Sequence, residues 1–223
     1  MSMDAHDRIK SLLADLSEPQ REAVTHTEGP LLILAGPGSG KTRVVTRRAA
    51  YLAATVTRPY HILAITFTNK AAREMRERMD ALGAGEGMTV GTFHALCAKL
   101  LRWHHELAGV PKNFTIFDTD DRRKLIKKAV EECDLPATNF SPASVEAEIS
   151  RAKNVMISAE QYATQAVDWR ARTIARIFTQ YEKRLREMGG MDFDDLLMRM
   201  AIVLAECEEL RSKLEDRYEY VLV

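Results

Sequence analysis

The sequence is short of most features that would narrow its class at once. Its 223 residues include three cysteines, Cys97, Cys133 and Cys207. They lie far apart with no pair at metal-ligand spacing, which excludes a zinc module and a disulfide framework. So sparse and odd a set suits a reducing compartment, and each thiol is expected to be buried as a small apolar side chain. No apolar run approaches the roughly 20 residues of a membrane-spanning helix. Residues 1–18 are charged and lack the apolar core of a secretory signal, so a cytoplasmic protein with no membrane partner is expected. An excess of one charge is lacking too: 32 Lys and Arg balance 32 Asp and Glu. No global basic field draws the chain to nucleic acid, and phosphate binding would have to come from a local groove. Internal repeats and low-complexity stretches are also absent.

What is present is a globular balance, 46% apolar and 29% charged residues, at a length for one or two domains. The first third alternates short apolar runs with amphipathic segments. Leu31-Leu32-Ile33-Leu34-Ala35 is expected to be a fully buried strand, followed by a helix over 42–54. A second buried strand is expected over 61–65, a helix over 69–82, a glycine-rich loop over 83–87, a short strand over 88–90 and a helix from Phe93. Such alternation implies right-handed crossovers and a parallel sheet covered on both faces. From Asp118 the periodicity becomes helical throughout. Asp118 and Ser141-Pro142 offer helix starts, and Ser158 with Gln161 a capping box before one helical segment toward Met188. Further helices are expected over 192–205 and 208–217, then a strand-like end over 218–223. The charge runs Arg122-Arg123-Lys124 and Lys127-Lys128 are expected on solvated faces.

The strongest chemical signal is Ala35-Gly36-Pro37-Gly38-Ser39-Gly40-Lys41-Thr42, between an expected strand and an expected helix. Glycines there let successive N–H groups turn inward on phosphate oxygens. Lys41 supplies a point charge to the β- and γ-phosphates, the Thr42 hydroxyl can ligate Mg²⁺, and the helix dipole adds positive potential. Ala35 departs from the strict pattern, which has glycine there. Gln20, upstream, carries an amide that can donate to and accept from an adenine edge together. Phe67, after the second strand, is suited either to the core or to stacking on a base. Asn69, Thr92 and His94 follow strand ends that share the ligand-binding edge of an open α/β sheet.

In this order and spacing the segments resemble the UvrD/PcrA/Rep branch of superfamily one DNA helicases, from about Leu16 to Val223. The resemblance implies a RecA-like phosphate-loop NTPase: an α/β parallel sheet with helices on both faces, carrying an inserted all-helical subdomain. Its boundaries would be 1–109, 110–190 and 191–223, with Met191 to Leu197 marking the return from the insertion. It implies that Gln20 and Arg43 contact adenine or its ribose side. Gly36, Gly38, Ser39, Gly40, Lys41 and Thr42 would hold ATP and Mg²⁺, and Phe67, Asn69, Thr92 and His94 would line a single-stranded DNA path. The implied activity is ATP-driven 3′-5′ translocation and unwinding at single-strand/duplex junctions, in repair or replication. Further helicase domains would be its partners.

A phosphate-loop ATPase also needs an acidic pair at a strand end. The resemblance places that pair directly after the strand that 220–223 resembles. Asp118 is expected to start a helix and Asp194-Asp195 to lie in one, so neither replaces it. This polypeptide by itself is therefore expected to bind ATP without turning it over. Two other readings stay open: a subunit of a recombination helicase-nuclease, and a short module that binds ATP or DNA without hydrolysis.

Overall fold

The computed structural model describes residues 5–135 and 140–223. The first four residues of the charged amino-terminal stretch, and 136–139 of the helical block, lie outside the described residues. The chain forms two compact units, one of residues up to Phe93 with Glu208–Val223, the other His94–Cys207. These divisions follow packing, whereas 109/110 and 190/191 follow motifs. They differ because the helices on either side of the helical block pack within it.

The first unit begins with helices α1 (Ala5–Leu13), α2 (Glu18–Thr25) and α3 (Lys41–Thr55). Strand β1 (Ile62–Thr66), helix α4 (Asn69–Ala81) and strand β2 (Thr89–Thr92) then make a parallel crossover unit. All five residues of β1 are buried. Because strand side chains alternate in direction, both faces of β1 are covered. Ala49, Ala50 and Leu52 of α3 and Met75 and Met79 of α4 share one buried cluster with Ile62, Ala64 and Val90. Thr68 caps α4 by accepting from the Ala71 amide at 3.2 Å. The chain later returns to add strand β5 (Tyr220–Leu222) beside β1, giving the parallel order β2-β1-β5.

One expected strand does not form. Residues 31–35 form no strand, and Leu32 and Leu34 are 81% and 86% exposed. A cavity of about 700 Å³, lined by Ile33, Val45 and Leu222 among others, separates residues 27–33 from β5. An inner parallel strand is stabilised by partners and by covered faces. Here the facing edge is β5, three residues long, and nothing among the described residues covers Leu32 or Leu34.

The second unit holds α5 (Phe93–Trp103, from His94 on), α6 (His105–Ala108), β3 (Thr115–Phe117) and α7 (Thr119–Glu132). It continues with α8 (Pro142–Asn154), α9 (Ala159–Gln165), α10 (Trp169–Glu187), β4 (Gly190–Asp192) and α11 (Phe193–Glu206). Helix α12 (Glu208–Arg217) belongs to the first unit. The expected starts occur: Asp118 accepts from Asp121 N at 2.9 Å and Ser141 from Ser144 N at 3.3 Å. Ser158 and Gln161 bond each other's backbone amides. The single segment expected from Ser158 to Met188 is instead two helices. Asp168 interrupts it by capping α10, accepting from Ala171 N at 2.7 Å, since a cap requires non-helical backbone.

Strands β3 and β4 were not foreseen; they pair in parallel, Phe117 opposite Asp192. Gly190 admits this ribbon, because a Cβ there would meet the Phe117 ring at 2.3 Å. The cysteines are half-buried rather than buried. Cys97 is nonetheless enclosed enough that burial pushes its thiol up to about 11.

Arg122 corrects a second expectation. Arg123, Lys124, Lys127 and Lys128 are solvated, but Arg122 is 6% exposed and enters a buried ionic cluster. Its Nη2 lies 2.9 Å from Asp194 and its Nε 3.5 Å from Asp192. Lys153 Nζ contacts three carboxylates, Glu182 at 2.6 Å, Asp192 at 2.8 Å and Asp195 at 2.7 Å. Tyr181 Oη donates to Asp192 at 2.7 Å. Asp192 and Asp195 also close the capping box of α11 by accepting from each other's amides. Burial would raise Asp192, but Lys153 and Arg122 outweigh it and hold that carboxyl below its usual range. Burial pushes Asp195 up to about 7, with Asp192 and Glu182 opposing Lys153.

A stability profile follows from Asp195. Its folded pKa exceeds the unfolded value of about 3.9. Its stabilising contribution is therefore complete below about pH 4 and lost progressively as pH rises through about 7. Urea unfolding of the chain should show Asp195→Asn flattening the decline between about pH 5 and 7, by on the order of 1 kcal/mol per pH unit. An unaltered slope would mean that Asp195 is ionised across that range.

Candidate functional site

The phosphate loop is built by backbone that few residues tolerate. Gly38 and Gly40 have φ of 76° and 83°, in the left-handed region where a Cβ is strained. Gly40 is also the residue that begins α3, and a Cβ on it would come within 3.2 Å of Gln20 Nε2. The loop is closed on itself by the Ser39 amide and Oγ, which both donate to Gly36 O, at 3.3 Å and 2.6 Å. Lys41 Nζ donates to Ala35 O at 3.0 Å and Gly36 O at 2.8 Å. An ammonium held by neutral carbonyls within a turn of glycines, at a helix amino terminus, is the donor set an anion requires. The residues present therefore fit a nucleotide phosphate chain. Thr42 stands next to Lys41 in the first turn of α3.

Gln20 lies in the first turn of α2, and its amide is engaged at both ends. Oε1 accepts from Ser17 N at 3.1 Å, and Nε2 donates to Ser39 O at 3.0 Å. The expected base reader thus touches the phosphate loop itself. Arg43 is elsewhere occupied: Nη2 donates to Asp15 O at 2.9 Å, which ties it to the bend between α1 and α2. Arg47 and Arg48 do the same work along α3, and nothing in their spacing as a sequence pointed to it. Arg47 donates to Leu12 O at 2.9 Å and to Ala14 O. Arg48 donates to Ala23 O at 3.0 Å and to His26 O.

Of the residues assigned to a DNA path, Phe67, Asn69 and Thr92 lie in the first unit. Phe67 is 80% exposed, which decides against its place in the core. Strand register sets Thr66 beside Thr92. The residues that follow the two strands, Phe67 and Phe93, consequently meet, with ring centroids 5.3 Å apart and planes tilted by 34°. Phe93 was not among the expected site residues. The signal for it was the repeated Thr-Phe at two strand ends, which acquires meaning only when the strands are in register. Asn69 is exposed at the start of α4, and Thr92 is buried at the end of β2. His94 belongs to the second unit, where its ring meets Phe193 edge-on at 5.5 Å.

The carboxylates weighed as Mg²⁺ ligands are committed within the second unit. Asp118 caps α7, Asp194 faces Arg122, and Asp195 holds Lys153. Among the described residues no group of three His, Cys, Asp or Glu side chains could hold a metal ion. No helix among them is long and apolar enough to cross a membrane.

Comparison with known proteins agrees with this geometry. The family model of the UvrD/REP helicase N-terminal domain matches residues 16–223. The chain is similar to the ATP-dependent DNA helicase PcrA of Leuconostoc citreum, 41% identical over 219 residues that cover 96% of this chain and 29% of that protein. It is 40% identical to PcrA of Bacillus subtilis over 215 residues, covering 95% and 29%. With PcrA of Staphylococcus aureus it shares 37% over 218 residues, covering 96% and 30%. The chain thus spans about 30% of the length of these curated relatives. With a phosphate loop opening α3, a parallel sheet and a match over nearly its whole length, this chain belongs to the UvrD/REP helicase family, in the region of that family's N-terminal domain.

Proposed function

We propose that these residues form the ATP-binding and single-strand-contacting part of an ATP-dependent DNA helicase. The observation that carries the proposal is the phosphate loop opening α3 with Gln20 bonded to it. Gly36 to Gly40 would enclose the phosphates, Lys41 would exchange its carbonyl partners for phosphate oxygens, and Gln20 would turn its amide to adenine. Mg²⁺ would arrive on the nucleotide and meet the Thr42 hydroxyl, since the described residues offer no acidic cluster of their own. Bound ATP would supply the phosphoryl group whose transfer to water drives stepping. The exposed Phe67, supported by Phe93, offers a face on which bases of any sequence can stack. Asn69 and Thr92 lie at the same strand ends, and His94 is proposed as a contact from its own unit. In the intact protein this part would work with further domains at single-strand/duplex junctions, moving 3′ to 5′, with 1–109, 110–190 and 191–223 as the functional segments.

Three measurements test this reading. Lys41→Ala should weaken Mg-ATP more than Mg-ADP, because its charge is aimed partly at the γ-phosphate; equal losses in a titration would make Lys41 structural. Phe67→Ala, checked for an unchanged melting temperature, should lower affinity for an oligothymidylate by about tenfold, consistent with roughly 1–3 kcal/mol per stacked base. Affinity equal to the parent chain would remove the stacking role. Steady-state assays on the 223-residue polypeptide with saturating single-stranded DNA should detect no significant ATP hydrolysis. Its candidate carboxylates are bound to Arg122, Lys153 and the Asp121 amide. Turnover near one per second that vanishes in Lys41→Ala would show that one of them acts as the missing acid.

A further inference from the structure

Three guanidinium groups on α3 hold the segment that carries Gln20. Arg43 binds the Asp15 carbonyl, Arg47 those of Leu12 and Ala14, and Arg48 those of Ala23 and His26. These carbonyls bracket Gln20 on both sides. They include the carboxyl ends of α1 and α2, where unsatisfied carbonyls and the helix dipole favour a cation. Helix α2 has eight residues, too few to be stable alone, so its position is imposed by what it is tied to. Arg48 is 6% exposed, and no carboxylate pairs with it among the described residues. Burial lowers its pKa. A buried cation without a counter-ion is costly, and an apolar side chain could fill the same space. What it could not do is bond two carbonyls at the end of α2.

We propose that Arg48 is a positioning residue for base selection. By bonding the carboxyl end of α2 to α3, it sets where Gln20 presents its amide relative to the phosphate loop. Helix α3 thereby serves both ends of the nucleotide. Its amino terminus carries Lys41 and the loop, and two turns on it fixes the helix that carries the base reader. Arg47 and Arg43 hold the preceding bend to the same helix. This rests on the reading of Gln20 as the adenine contact. It assigns a role to a residue that acts through α2 rather than on the nucleotide.

The test is titration of the 223-residue chain with Mg²⁺ and ATP, GTP or inorganic tripolyphosphate. The proteins compared are the parent, Gln20→Ala, Arg48→Met, Arg48→Lys and the Gln20→Ala/Arg48→Met pair. The parent should prefer ATP to GTP, and Gln20→Ala should abolish that preference. Arg48→Met should lower ATP affinity about tenfold and bring the ATP/GTP ratio to that of Gln20→Ala, with tripolyphosphate affinity within about twofold of the parent. Arg48→Lys, which keeps the charge but loses the planar fork, should give an intermediate ratio. The pair should be no worse for ATP than Gln20→Ala alone, because Arg48 acts only through Gln20. If Gln20→Ala leaves the ratio unchanged, the adenine reading itself fails. If Gln20→Ala abolishes the ratio and folded Arg48→Met keeps it, or loses tripolyphosphate in step with ATP, the positioning role is overturned. Should Arg48→Met fail to fold, a parental ratio in Arg48→Lys overturns it.

Discussion

To begin α3, the chain must pass through left-handed backbone at Gly38 and Gly40, and the first unit is arranged around that constraint. Once α3 starts there, Lys41 falls in its first turn, Ala49, Ala50 and Leu52 turn toward β1, and Arg43, Arg47 and Arg48 reach the carbonyls of α1 and α2. Phosphate loop, sheet and the helix that carries Gln20 are thereby referenced to one rigid element. A side chain at position 40 would disturb the loop and the helix that carries Gln20 together, because it would strain the turn and press on Gln20 at the same time.

The helical unit solves a different problem. Asp192 ends β4 and caps α11, so it must be a carboxylate or a similar acceptor, yet it is fully enclosed. Lys153 from α8, Arg122 from α7 and Tyr181 from α10 converge on it. A buried charge is tolerated when it is paired and hydrogen-bonded, and here the pairing ties three helices to the β4–α11 corner. Burial, with Asp192 and Glu182 opposing Lys153, pushes the Asp195 carboxyl up to about 7.

Local chemistry was legible wherever it depended on neighbours in the chain. Helix starts at Asp118, Ser141 and Ser158 appeared as expected, since a cap involves residues three apart. The loop at 36–42 and the buried strand β1 were legible for the same reason. Residues 31–35 were misjudged because an apolar run shows only that burial would be favourable, not that a partner strand is in place. Arg122 was misjudged because charge in a run shows solvation preference on average, while one residue of α7 faces inward.

The sequence by itself determined the phosphate loop, the alternation of strands and helices, and the family. Each of these follows from residue types at fixed short spacings, which the chain cannot rearrange. Only the tertiary structure decided that Phe67 is exposed and lies against Phe93, that Gln20 bonds the phosphate loop, and that three arginines of α3 hold α1 and α2. It also decided which acids belong to Lys153 and Arg122. Those pairings join residues up to about 70 positions apart, and a contact at that separation is set by strand register and helix packing, which local spacing does not encode.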